Sequence, residues 1–123
     1  MSEKVNNAVL LVDDKQYILD MLVTVCSAID RPYFTAENGQ MALETYQSHS
    51  DEISLIISDM VMPVMDGKEL FFNLRDIDPE MKIILCSGYP VKNDIKEHIR
   101  KGDITFLRKP YEMSELLKLL ETH

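Results

Sequence analysis

The chain has 123 residues, enough for one domain with a buried core and too few for two, so residues 1–123 are read as a single unit. Hydrophobic residues at 46% and charged residues at 28% fit an ordinary globular protein and exclude a disordered or fibrous one. Asp and Glu number 21 against 13 Lys and Arg, and the net charge of -8 opposes direct binding to nucleic acid or an anionic membrane while favouring a bound cation or basic partner.

The first apolar run, Val9-Leu10-Leu11-Val12, stops at Asp13-Asp14. It is too short for a signal peptide or spanning helix, so no membrane insertion and a cytoplasmic location are expected. A short continuous apolar run bounded by polar residues reads as a strand buried on both faces. Tyr17, Ile18, Met21, Leu22, Val25, Cys26 and Ile29 then recur at helical spacing, with Pro32 beyond the helix end. Tyr33 to Ala36 is a short, less apolar strand suited to an edge. Asn38-Gly39 signals a turn into a helix with Met41, Ala42, Leu43 and Tyr46 inward.

A second strong apolar run, Leu55-Ile56-Ile57-Ser58, ends at Asp59. After a loop through Met62-Pro63, Asp66 with Glu69 three residues later makes a capping box for a helix burying Leu70, Phe71, Leu74 and Ile77. Lys82 to Cys86 is a fourth strand, ending at Ser87-Gly88. The segment Val91 to Arg100 has only Val91, Ile95 and Ile99 as its apolar stripe, so its helix is expected to be the least firmly held, with Gly102 as its C-terminal cap. A fifth strand ends at Lys109-Pro110, and Met113, Leu116, Leu117 and Leu120 form the inner face of a last helix. Cys26 and Cys86 lack CxxC spacing and read as buried thiols. His49, His98 and His123 show no partner pattern.

Five strand-helix units imply an α/β fold: a flavodoxin-like, doubly wound, five-stranded parallel sheet in the order 2-1-3-4-5 with helices on both faces. Strands one and three are then neighbours, about 4.8 Å apart, and Asp13, Asp14 and Asp59 converge at their carboxyl ends. Close carboxylates repel, which favours a hard divalent cation held by oxygen ligands; Mg2+ suits a site of few carboxylates completed by water and phosphate oxygens. Ser87 and Lys109 fall on the other side of Asp59, a hydroxyl and an ammonium suited to a phosphoryl group, and Gly88 allows close backbone approach. An Asp that takes a phosphoryl group is a known type of covalent intermediate.

In these residues the chain resembles the receiver domain of two-component response regulators. The resemblance rests on Asp13-Asp14, on Asp59-Met60-Val61-Met62-Pro63 with Met65-Asp66-Gly67, on Ser87-Gly88 and on Lys109-Pro110, in order and in register at four strand ends. It implies that Asp59 is the phosphoacceptor, that Asp14 binds Mg2+ directly and Asp13 largely through water, and that the Val61 carbonyl completes the metal site. It further implies that Ser87 hydrogen-bonds the phosphoryl group, that Lys109 pairs with it, that the Lys109-Pro110 bond is cis, and that Phe106 is an aromatic that changes rotamer on activation. Ser87 stands where threonine is common, and Phe106, where tyrosine is common, lacks a hydroxyl to signal with. Ser87-Gly88-Tyr89-Pro90 is similar to receivers attached to hybrid sensor histidine kinases.

The resulting expectation is a phosphoacceptor signalling domain that takes a phosphoryl group from a histidine kinase or histidine phosphotransfer protein onto Asp59 and slowly dephosphorylates itself. Such a domain catalyses its own modification without conventional turnover. Partners can include a second copy or a fused output or kinase domain. Its alternative is a phosphate sink or docking module without output. A phosphatase would need a second acid-base residue where Val61 stands, and a flavin carrier would need a Ser, Thr and Gly-rich loop after strand one.

Overall fold

The computed structural model describes residues 7–123, so the first six positions of the 1–123 unit lie outside the described residues. The elements alternate as expected: β1 Ala8–Val12, α1 Gln16–Ala28, β2 Tyr33–Ala36, α2 Gly39–Ser48, β3 Ile53–Asp59, α3 Gly67–Ile77, β4 Lys82–Ser87, α4 Asn93–Lys101, β5 Ile104–Arg108 and α5 Met113–Thr122. The strands form one parallel sheet in the order β2-β1-β3-β4-β5.

Strand residues alternate between two cores. Leu10, Ile56 and Leu85 point to the face covered by α2, α3 and α4, while Leu11, Ile57 and Cys86 point to the face covered by α1 and α5. Ile53 and Leu55 break this alternation, because the β1–β3 register shifts between Ala8 and Val9. Beyond that irregularity the register is regular, setting Val12 beside Ser58 and Asp59 beside Cys86. The side chain of Asp59 thus falls on the α1/α5 side.

Several expected inward positions turn outward. Met41 is 41% exposed, because Ala42 and Tyr46, four residues apart, carry the inner face of α2. Ile77 is exposed as the last residue of α3, whose stripe is Leu70, Phe71 and Leu74. Met113 is likewise exposed at the first position of α5, where Leu116 and Leu120 are buried. β4 runs one residue further than expected, to Ser87, and β5 stops one residue earlier, at Arg108, where Pro110 has no N–H to extend the ladder.

α4 has Ile95 as its sole fully buried residue, as its thin stripe foretold. Polar links fasten it to α3 at both ends. Lys68 Nζ lies 2.9 Å from Asp94, and Arg75 lies 3.3 Å from Asp103, whose other oxygen is 2.9 Å from His98 Nδ1. Gly102 ends the helix at φ 88, a left-handed conformation in which a side chain would be strained.

Candidate functional site: an acidic crevice at the carboxyl edge of the sheet

Two strand ends bring the three acidic residues together. Asp13 follows β1 directly, its N–H donating to the Ala36 carbonyl of β2 at 3.2 Å; Asp14 is next in the chain, and Asp59 ends β3. One carboxylate oxygen from each lies within 4.8 Å of the others. Asp13 and Asp59 are buried, whereas Asp14 is solvent-facing. Burial pushes the Asp13 carboxyl above the ordinary carboxylate range, against the Lys15 backbone N–H that donates to it at 2.9 Å. The charge of Asp59 adds to the rise.

Two ammoniums answer these charges. Lys109, just beyond β5, donates from Nζ to Asp59 Oδ1 at 2.8 Å. The peptide bond that follows it, Lys109-Pro110, is cis, in agreement with the expectation from the family resemblance. The Lys109 N–H donates to the Ser87 carbonyl at 2.9 Å, tying the β5 end to the β4 end. Lys15, the residue after the acid pair, reaches across the crevice: its Nζ lies 3.1 Å from Asp14 Oδ1 and 3.4 Å from both Asp13 Oδ1 and Asp59 Oδ2. Burial opposes the Lys15 charge, but the surrounding carboxylates, Asp14 foremost, outweigh it and hold its pKa above the ordinary lysine value. Sequence reasoning passed over Lys15. Its signal was present, a lysine directly following two aspartates at a strand end, but a long flexible stem leaves its destination open until the fold is known.

The β3–α3 loop frames the other side. Met60 N–H donates to the Cys86 carbonyl and Gly67 N–H to the Met60 carbonyl, both at 2.9 Å, and the expected capping box of Asp66 and Glu69 starts α3. Val61 lines the crevice with its side chain exposed. Val64, β-branched, sits in the same loop at φ 69, a region such residues rarely enter. Ser87 is buried beside the crevice, but its hydroxyl is engaged with Tyr89, accepting from the Tyr89 N–H at 3.0 Å and lying 3.2 Å from its carbonyl. Phe106, at the centre of β5, is half-buried, and strand alternation puts it on the α4 side with Ile104. Cys86 lies buried beneath the crevice, and burial pushes its thiol up to about 12, disfavouring the thiolate.

The cleft around Asp14, Lys15, Asp59, Ser87, Gly88 and Lys109 has a volume of about 510 Å3, ample for a phosphoryl group. The cluster of Asp13, Asp14 and Asp59 offers carboxylate oxygens, the donors a hard divalent cation takes, so the residues present fit such an ion. Among the described residues no helix is long and apolar enough to cross a membrane.

Comparison with known proteins agrees with this geometry. The chemotaxis protein CheY of Listeria monocytogenes is 31% identical over 113 residues, spanning 91% of this chain and 93% of its own. The sporulation initiation phosphotransferase F of Bacillus subtilis is 30% identical over 111 residues, spanning 90% of this chain and 88% of its own. Among solved structures, a chain of the CheX-CheY-BeF3-Mg+2 complex from Borrelia burgdorferi superposes with a TM-score of 0.84 at 26% identity, covering 96% of this chain and 89% of that one. The family model for the response regulator receiver domain matches residues 9–121. With its sheet order, its acidic crevice and these relatives in agreement, the chain belongs to the response regulator receiver domain family, the phosphoacceptor domains of two-component signalling.

Proposed function

We propose that Asp59 is the phosphoacceptor of this receiver domain and that residues 1–123 act as one signalling unit. The observation that carries this reading is the Lys109 Nζ, 2.8 Å from Asp59 Oδ1. A buried carboxylate with an ammonium on one oxygen and a group of carboxylates on the other side is a nucleophile placed between two sites for charge neutralisation. In the transfer, an Asp59 oxygen attacks the phosphorus of a phosphohistidine, the P–N bond breaks, and the imidazole leaves and takes up a proton. Lys109 offsets the negative charge on the equatorial oxygens, and the Ser87 hydroxyl turns from the Tyr89 backbone toward the phosphoryl group.

Mg2+ is the cation this reading assigns to the crevice; when bound it supplies neutralisation of charge on the phosphoryl oxygens. Asp14, which faces solvent, and Asp59 would hold it with the Val61 carbonyl, and Asp13, already engaged by the Lys15 N–H, would stand behind through water. The similar Borrelia complex contains BeF3 and Mg+2. The donor comes from a histidine kinase or phosphotransfer protein in the cytoplasm. Output follows from Phe106 and α4: as Ser87 moves, Phe106 turns inward and the single buried anchor of α4, Ile95, lets that helix shift between two arrangements. The face built from α4, β5 and α5 is then the surface read by a partner, by a second copy or by a fused domain.

Incubation with acetyl phosphate and Mg2+, followed by borohydride trapping and mass spectrometry, tests the assignment. Label is expected on the peptide containing Asp59 and is lost in Asp59→Asn. Undiminished labelling of that variant would overturn the reading.

A further inference from the structure

Lys15 touches one oxygen of each of the three carboxylates that could hold a metal ion. Its root is fixed. Lys15 is the N-cap residue of α1, its N–H donates to Asp13, and its carbonyl accepts from the N–H groups of Ile18 and Leu19. The stem and ammonium, 40% exposed, are free to leave for water.

Resting on the reading that this cluster takes Mg2+, we infer that Lys15 is a tethered competitor of the divalent cation. An ammonium and a metal ion cannot share this cluster, because two cations at that separation repel and the ammonium already engages the Asp14 and Asp59 oxygens that face it. When the ion binds, Lys15 swings out to solvent. Two effects of opposite sign follow. Without metal, Lys15 relieves repulsion among Asp13, Asp14 and Asp59 and steadies the fold; with metal, its displacement weakens apparent affinity. Asp59 Oδ2 passes from the ammonium to the ion, while Lys109 keeps hold of Oδ1. Lys109 cannot play this part, since it reaches the cluster from the β5 side and pairs with Asp59 alone.

Titration calorimetry with MgCl2 at constant ionic strength, together with melting in EDTA, tests the idea on the wild type and on the neutral variants Lys15→Met and Lys15→Gln. Both variants are expected to bind Mg2+ about three- to tenfold more tightly and to melt at lower temperature in EDTA. Unchanged or weaker Mg2+ binding in the neutral variants overturns the inference while leaving the metal site intact. Failure of the wild type itself to bind Mg2+ overturns the metal assignment and the competition together. Should both variants fail to fold, lysine side-chain NMR on the wild type decides: Mg2+ is expected to shift the Lys15 Cε and Nζ resonances as its ion pairs break, and an unmoved Lys15 refutes the displacement.

Discussion

Gly67 packs its Cα directly against the backbone of Asp59: a Cβ at position 67 would lie 2.5 Å from the Asp59 carbonyl oxygen and 3.0 Å from Met60 Cα. Both obstacles are backbone, which cannot swing aside as the end of a side chain can. The first residue of α3 therefore holds the strand end that carries Asp59.

Gly67→Ala is accordingly expected to destabilise the domain, an overpacking penalty of about 1–3 kcal/mol offset in part by the up to ~1 kcal/mol by which Ala exceeds Gly in helix propensity. Because the displacement falls on Asp59, phosphorylation should slow more than the lost stability explains. Urea denaturation paired with the rate of acetyl phosphate labelling measures both. A variant as stable and as fast as the wild type would show that the close approach is dispensable.

Val64 predicts the opposite outcome. It is 78% exposed, so its side chain contributes little burial, yet it holds φ 69. The left-handed region costs an ordinary L-residue roughly 1–2 kcal/mol, and asparagine tolerates it better. Val64→Asn should therefore stabilise the domain by about 0.5–1 kcal/mol, seen as a rise in melting temperature of about 3 °C. A lower melting temperature would show that this loop bears no such strain.

The two links between α3 and α4 make the hold on α4 sensitive to acid. The hydrogen bond to His98, followed by the charge of Arg75, holds the Asp103 carboxyl below its usual range, and the hydrogen bond from Lys68 does the same for Asp94. Carboxyls that titrate lower in the folded state stabilise it fully above the unfolded carboxylate range and lose that contribution as pH falls through their lowered values. In hydrogen exchange, α4 amides should lose protection in that acid window ahead of α1 amides. At neutral pH, Asp94→Asn with Asp103→Asn should reproduce the loss. Equal exchange of α4 and α1 in the double variant would rule out the links as its fastening.

Much of this was legible in the chain because the buried strands are unmixed apolar runs. Leu10, Ile56 and Leu85 lie among neighbours that are apolar on both faces, which only a parallel sheet covered by helices accommodates, and such a sheet fixes which strand ends meet. The aspartates come into register once β1 and β3 are neighbours. The positions that escaped are those decided by torsions or by long flexible stems. Nothing in the type of Lys15 says which way its ammonium points, and nothing in Val64 announces a positive φ. The hydroxyl of Ser87 pairs with the Tyr89 backbone through a turn of the β4–α4 connection, a local choice that residue type does not dictate. The outward turn of Met41 and Ile77 shows the same limit: apolar type marks a helix, but the rotation of that helix on the sheet decides which of its apolar residues are covered.

Arg31 gathers both extremities of the described chain onto one side chain. Its guanidinium donates to the Asn7 carbonyl, to the Leu120 carbonyl at 2.7 Å and to the His123 carbonyl at 3.1 Å. Asn7 precedes β1, so this knot lies at the amino edge of the sheet, the pole opposite the acidic crevice. The two extremities of the described residues thus lie together, away from the crevice. In engineering terms the fold is a plug-in cartridge: a short linker from His123 back to Asn7, with new termini opened in a surface loop, should yield a circular permutant whose crevice is unaltered.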